Sequence, residues 1–122
     1  MTGFKNFEEI ISWQKARLLC NKVYSLTNGK LFSKDFGLVD QIRRSSVSVM
    51  ANIAEGYERK GDKEFVRFLN IARGSLAEVK SHLFIAFDLK YIREEDKNEL
   101  FELINEIGKL INGLSRYLLA RN

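Results

Sequence analysis

The stretch "EFVRFLNIARGSLAEVKSHLFIAFDL", residues 64–89, decides the fold. Phe65, Leu69, Ala72, Leu76, Val79, Leu83 and Ala86 alternate steps of four and three through it. That spacing keeps side chains on one face of a 3.6-residue helix. Held over seven positions, it is the seam of a helix packed near-parallel to its neighbours with a left-handed twist. The spacing predicts a helix from about Lys63 to Leu89.

The same rhythm extends both ways. Leu100, Ile104, Ile107, Ile111, Leu114 and Leu118 predict a helix from about Glu94 to Ala120, after a turn at "KYIREED". Val39, Ile42, Ser46, Val49, Ile53 and Gly56 predict one from about Phe36 to Arg59, and Ala16, Leu19, Val23 and Leu26 one from about Ser12 to Thr27. Gly29 is the expected end of the first helix and Gly61 of the second, with Asp62 expected to cap the third. The chain contains no proline, which agrees with long unbroken helices. Short connections between amphipathic helices predict an all-α fold, an antiparallel up-down four-helix bundle with left-handed heptad-like packing, as one domain over residues 1–122.

Bulk properties narrow the function classes. The chain has 122 residues, 45% hydrophobic and 30% charged, and no stretch reaches the roughly 18 apolar residues of a membrane span. The N-terminus "MTGFKNFEEIISWQKA" lacks a signal-peptide layout, so a cytoplasmic protein without membrane partners is expected. One cysteine, Cys20, excludes an internal disulfide and reads as a small buried residue. One histidine and one cysteine match no metal-ligand spacing, and no metal or other cofactor is expected. Ser75 and His82 lie two helical turns apart, about 10 Å, too far for a nucleophile–base pair. Glu55 and Glu78 could pair as carboxylates, but neither has the His three residues on that a di-metal bundle site uses. An enzyme is not expected.

The second helix is unusually polar for its period. Ser45, Ser46, Ser48, Asn52 and Glu55 fall on or beside core positions, while Val47, Met50, Ala54 and Tyr57 form a second stripe about 100° around the helix. Such a helix must be covered on two sides, by another helix of the bundle or by a neighbouring subunit. Small residues allow close approach, and buried polar groups in a seam can fix register and oligomer state. Ser46, Asn52, Glu55 and Gly56, with Gly74 and Ser75 on the third helix, are the expected packing- and oligomer-specifying set.

The formal charge is +4. Arg43 and Arg44 beside the polar seam are candidate phosphate contacts, against ordinary salt bridges to Asp40. Arg59, Lys60 and Lys63, with Arg67 one turn on, form the densest basic cluster, diluted by Glu58, Asp62 and Glu64. Lys15, Arg17 and Lys22 make the first helix basic. Trp13 and Tyr24 could stack on bases or simply cover the bundle. Phe84, Phe87 and Phe101 lie off the main seams and are candidate subunit contacts.

Five segments carry a family resemblance: "WQKA" at 13–16, "YSLT" at 24–27, "FGLVDQIRRSSVSVMANIAEGYER" at 36–59, "EFVRFLNIARGSLAEV" at 64–79 and "YI" at 91–92. Over nearly its whole length the chain resembles the bacterial four-helix-bundle proteins encoded in intervening sequences of 23S ribosomal RNA genes. It is similar also to the accessory variability protein of diversity-generating retroelements. The resemblance implies an up-down bundle, assembly as a homopentamer, and, from the retroelement relative, association with nucleic acid and a reverse transcriptase. Many relatives carry a proline where Met50 stands, so the second helix is expected to be straighter here. Two functional readings follow: a non-enzymatic homo-oligomeric scaffold that binds RNA or DNA through a basic surface formed on assembly, or a protein-interaction module whose apolar faces bind a partner protein.

Overall fold

A computed structural model describes residues 3–121. Four helices make up most of it: α1 Ile11–Thr27, α2 Phe36–Glu58, α3 Asp62–Asp88 and α4 Glu94–Ala120. Single 3-10 turns at Phe7–Glu9 and Phe32–Lys34 precede α1 and α2, and no strand occurs among the described residues. Each helix packs on its neighbour in the chain, and α1 closes the ring on α4. This is the antiparallel four-helix bundle that the spacing predicts.

The predicted seams form the core. All seven α3 positions from Phe65 to Ala86 are buried. They meet Ala16, Leu19 and Val23 of α1, Ile42, Val49 and Ile53 of α2, and Leu100, Ile107, Ile111 and Leu118 of α4. Fully burying one such Leu or Ile side chain contributes about 1.5–3 kcal/mol.

Segments without helical period plug both ends. Phe32, in the loop after α1, is fully buried and stacks on Tyr91 at 5.3 Å between ring centroids. The Tyr91 hydroxyl donates to Asp35 at 3.0 Å, and the same carboxylate caps α2 by accepting from the Leu38 amide at 3.2 Å. At the opposite end Phe4 meets the Tyr57 ring edge-on, and the Tyr57 hydroxyl donates to the Phe4 carbonyl at 2.7 Å. The second α2 stripe is therefore partly covered from within the chain. Met50, Ala54 and Tyr57 are half-buried, whereas Val47 stays 41% exposed.

The turn between α2 and α3 differs from its sequence expectation. Lys60, not Gly61, takes the left-handed conformation that ends α2, with φ 58°, while Gly61 is extended. Asp62 does not cap α3. Its carboxylate is held by Arg121, at 2.5 Å from Nε and 2.7 Å from a terminal guanidinium nitrogen, and so ties the start of α3 to the end of α4. A bidentate guanidinium pair competes better for a carboxylate than a neutral backbone amide does.

Candidate nucleic-acid interface

The polar residues of α2 are satisfied mostly by short bonds to their own helix. Ser45 Oγ donates to the Gln41 carbonyl at 2.9 Å, and Ser46 Oγ to the Arg43 carbonyl at 2.9 Å, with Cys20 Sγ 3.6 Å away across α1. Back-bonding satisfies the Ser45 and Ser46 hydroxyls, whereas Ser12 Oγ of α1 and Ser115 Oγ of α4 are buried without a hydrogen-bond partner among the described residues. The Asn52 amide donates to the Ser48 carbonyl at 2.8 Å and to Ser48 Oγ at 2.9 Å, and Ser48 Oγ lies 2.8 Å from Ser75 Oγ of α3. Gly56 is buried at a close approach of the two helices: a Cβ there would lie 2.7 Å from Phe68 Cβ. Asn52, Gly56 and Ser75 thus shape the α2–α3 contact, and Ser46 the contact of α2 with α1.

Two members of that expected set lie elsewhere. Glu55 is exposed and pairs with Arg59 at 2.9 Å, one turn along the same helix. Gly74 is exposed with open space around it, so it is not the point at which α2 crosses α3. Each is one residue, about 100°, off the contact: Glu55 precedes the buried Gly56 on α2, and Gly74 precedes Ser75 on α3.

A groove of about 250 Å³ between α2 and α3 brings Ser48, Ser75, Glu78 and His82 together with Arg44. The His82 Nδ1 atom is buried there without a hydrogen-bond partner. Glu55 and Glu78 do not form the carboxylate pair considered from sequence, since Glu55 faces Arg59 while Glu78 lines this groove. Among the described residues, no group of three or more His, Cys, Asp or Glu is placed to hold a metal.

Most of the basic residues singled out in the sequence are held by partners inside the chain. Lys15 pairs with Glu106 at 3.5 Å and Lys22 with Glu99, so both link α1 to α4. Arg43 donates to Thr27 Oγ1 at 2.9 Å and Asn28 Oδ1 at 3.2 Å, and its guanidinium lies 4.5 Å from the Tyr24 ring. Arg44 pairs with Asp40 at 3.0 Å. Arg67 pairs with Glu64 at 2.9 Å, and both Arg59 and Arg67 lie over the Phe68 ring. The Arg67 guanidinium holds the Glu64 carboxyl below the usual range. Arg17 lies over Trp13, and Lys60 and Lys63 are exposed without an ion pair among the described residues. Trp13 packs edge-on against Phe7. Phe84 and Phe101 form an edge-on pair across α3 and α4.

These features define an up-down four-helix bundle with small, back-bonded polar residues where α2 meets α3 and with positive charge on its exterior. No helix among the described residues is long and apolar enough to cross a membrane. The chain belongs to the 23S rRNA-intervening sequence protein family, whose profile matches residues 8–113. It is similar to a crystallised protein of unknown function from the S23 ribosomal protein family of Bacteroides thetaiotaomicron VPI-5482, with 25% identity and a TM-score of 0.78. That alignment covers 87% of this chain and 96% of the other. No curated protein matches the sequence.

Proposed function

We propose that the chain is a non-enzymatic scaffold that assembles with copies of itself in the cytoplasm, as a pentamer, and binds RNA or DNA through the basic surface that assembly creates. The observation carrying this reading is the way charge is sorted. Among the described residues, carboxylates such as Glu99, Glu106, Asp40, Asp62 and Asp96 are engaged by cations within the bundle, and the Lys and Arg side chains left without an ion pair outnumber the carboxylates left without one. One subunit carries only +4, and a ring of five carries five times that charge in a small volume. Clustered positive potential attracts a polyanion and releases its counterions, which gives affinity that falls steeply with salt.

Exposed apolar side chains support assembly. Val47 on α2 and Ile71 and Ile85 on α3 are each more than 40% exposed. A second copy packed there would remove them from water. A reverse transcriptase as a further partner belongs to the same reading, since an assembled basic ring could hold template beside an enzyme.

Size-exclusion chromatography with light scattering tests the proposal, run with and without a mixed RNA and DNA pool at low and high salt. A ring-sized mass that shifts with nucleic acid only at low salt is the expected result. A ring that ignores nucleic acid in every condition overturns the binding claim in favour of a protein-interaction module. A monomer at all concentrations overturns assembly.

A further inference from the structure

Beyond Lys63 at the start of α3, five cations without an ion pair among the described residues stand on α3 and α4. On α3, Arg73 and Lys80 stand seven residues apart, two turns of one stripe that ends at Phe84. On α4, Lys109 and Arg116 stand seven residues apart on one stripe, and Lys109 lines the groove with Arg73, while Lys97, about 120° further round, reaches the Phe101 ring. The register is fixed by two contacts: Phe84 meets Phe101 at 4.9 Å between ring centroids, and Leu76 lies against Gly108. Among the described residues none of these five cations is in an ion pair. Of the α4 acids, Glu99 and Glu106 bind lysines of α1, whereas Glu102, seven residues before Lys109, and Glu94, three before Lys97, lie on the flank of these cations. Glu78 of α3 lines the groove on the α2 side. Asp88, at one end beyond Phe84, is the acid left on the α3 stripe.

Between the helices runs an open groove of about 380 Å³ whose rim carries Arg73, Asn105, Lys109 and Asn112 over a floor that includes Ala77 and Gly108. The small floor residues make the groove concave, and the rim supplies cations and amides but no carboxylate. Phe84, 46% exposed, lies outside the groove's lining, seven residues on from Ala77 along the same α3 stripe. The Lys80 and Lys97 ammoniums lie 5.2 Å and 5.8 Å from the Phe101 ring, close to that exposed phenyl. Cations along a groove, interleaved with amides and an exposed aromatic face, are what a nucleic-acid strand requires: charge for its phosphates, hydrogen bonds for its sugars and base edges, and a ring for an unpaired base.

We propose that the α3–α4 groove is a binding site for single-stranded nucleic acid, with Arg73, Lys80, Lys109 and Arg116 contacting phosphates and Phe84 stacking on a base. This rests on the nucleic-acid reading above and assigns it a surface. From Arg73 to Phe84 the stripe runs about 16 Å along α3, enough for several nucleotides. A duplex hides its base faces and gives Phe84 nothing to stack on. An acidic polypeptide would match the charge but would not use the exposed ring in this way.

Fluorescence anisotropy with labelled 20-nucleotide oligouridylate and oligothymidylate, titrated at several salt concentrations, tests it. The variant R73Q/K80Q/K109Q/R116Q is compared with K30Q/K34Q/K60Q/K63Q, which removes the same charge from the loops and ends of the bundle; circular dichroism checks that both fold. The groove variant is expected to lose at least about tenfold in affinity at low salt, with the salt slope falling by about 0.7 per lost contact. The control is expected to keep most of both. Phe84→Ala is expected to weaken binding about tenfold with the slope unchanged. If the control variant loses binding and the groove variant does not, the groove assignment is overturned while nucleic-acid binding stands. If the unmodified protein binds neither probe at any salt, both fall. Displacement of the strand by polyglutamate as readily as by unlabelled oligonucleotide would instead make the partner an acidic polypeptide.

Discussion

Ser48 Oγ of α2 and Ser75 Oγ of α3 lie 2.8 Å apart, and the Asn52 amide donates to the same Ser48 oxygen at 2.9 Å. The amide occupies one acceptor site on Ser48, and either hydroxyl can donate in the bond between Ser48 and Ser75. The relay is a polar clasp at the edge of an otherwise apolar contact. Ser75→Ala is expected to lower stability by about 1 kcal/mol, and a double-mutant cycle with Ser48→Ala to show coupling of similar size. Urea denaturation measures both. Additive losses would mean that the two hydroxyls do not interact. Asn52→Leu is expected to change the mass of the assembly by light scattering, since it places an apolar side chain at the rim of the α2–α3 contact; an unchanged mass removes Asn52 from the assembly-specifying set.

Gly56→Ala tests the close approach. The new methyl would meet Phe68 Cβ at 2.7 Å and the Phe65 ring at 3.1 Å. Both phenylalanines are buried, so neither can move freely. Overpacking of about 1–3 kcal/mol is expected to exceed the gain of about 1 kcal/mol that alanine brings to a helix interior. A stability equal to or above that of the parent would show that α2 and α3 can separate without penalty.

The seams were legible because heptad spacing depends only on side-chain volume and polarity. Every α3 position from Phe65 to Ala86 could be assigned to the core from the sequence. The bundle ends were not legible. Phe32 sits in a loop without period, and its stacking on Tyr91 joins residues far apart in the chain. The left-handed turn at Lys60 was hidden by the adjacent Gly61, the residue type that favours that conformation. Charge was the least legible. Counting lysines and arginines along the chain selected Lys15, Lys22, Arg44, Arg59 and Arg67, all of which meet carboxylates in space. Three of those pairs, at i,i+3 or i,i+4, are visible on a helical wheel; those of Lys15 and Lys22 need the α1–α4 contact. The same wheel puts Arg73 and Lys80 on one stripe of α3 and Lys109 and Arg116, with Glu102, on one stripe of α4; bringing the two stripes together needs the α3–α4 contact.

Lys90 offers a stabilising substitution. It has φ 64° after the end of α3, where its amide donates to the Phe87 carbonyl and the Tyr91 amide to the Ala86 carbonyl, each at 2.9 Å. This is the Schellman pattern, which favours glycine at the left-handed position. A non-glycine residue there costs about 1–2 kcal/mol, partly returned by the lower entropy of its unfolded state. Lys90→Gly is expected to raise stability by about 0.5–1 kcal/mol, seen as a higher urea midpoint with unchanged slope. A lower midpoint would show that the lysine makes a contact worth more than the strain.

Acid should weaken the start of α4. The Asp96 carboxylate accepts from the Arg93 amide at 3.2 Å and from its guanidinium at 3.1 and 3.2 Å. These hydrogen bonds, above all the guanidinium's, hold its carboxyl below the ordinary aspartate range. A depressed folded-state value means that the stabilisation is fully present above the unfolded-state value and is lost as pH falls through the folded one. Asp96→Asn is therefore expected to reduce the stability difference between pH 7 and pH 3, measured by urea denaturation at each. An undiminished difference would place the acid sensitivity in other carboxylates.

Arg43 and Arg44 are neighbours in sequence with different environments, and they separate structure from binding. Arg43 is half-buried and joins α2 to the end of α1 through Thr27 and Asn28, beneath the Tyr24 ring. The Arg44 guanidinium is exposed and pairs with Asp40 on the same helix, an arrangement that contributes about 0.3–0.5 kcal/mol at most. Arg43→Gln is expected to lower stability by about 1 kcal/mol, because the Thr27 and Asn28 oxygens lose a charged donor. Arg44→Gln is expected to leave stability within about 0.5 kcal/mol of the parent. With the strand held on α3 and α4, changing both to Gln should leave the salt slope of oligonucleotide binding unchanged. A slope that flattens with Arg44→Gln alone would extend the nucleic-acid surface onto α2, and a loss with Arg43→Gln that tracks its loss of stability would not.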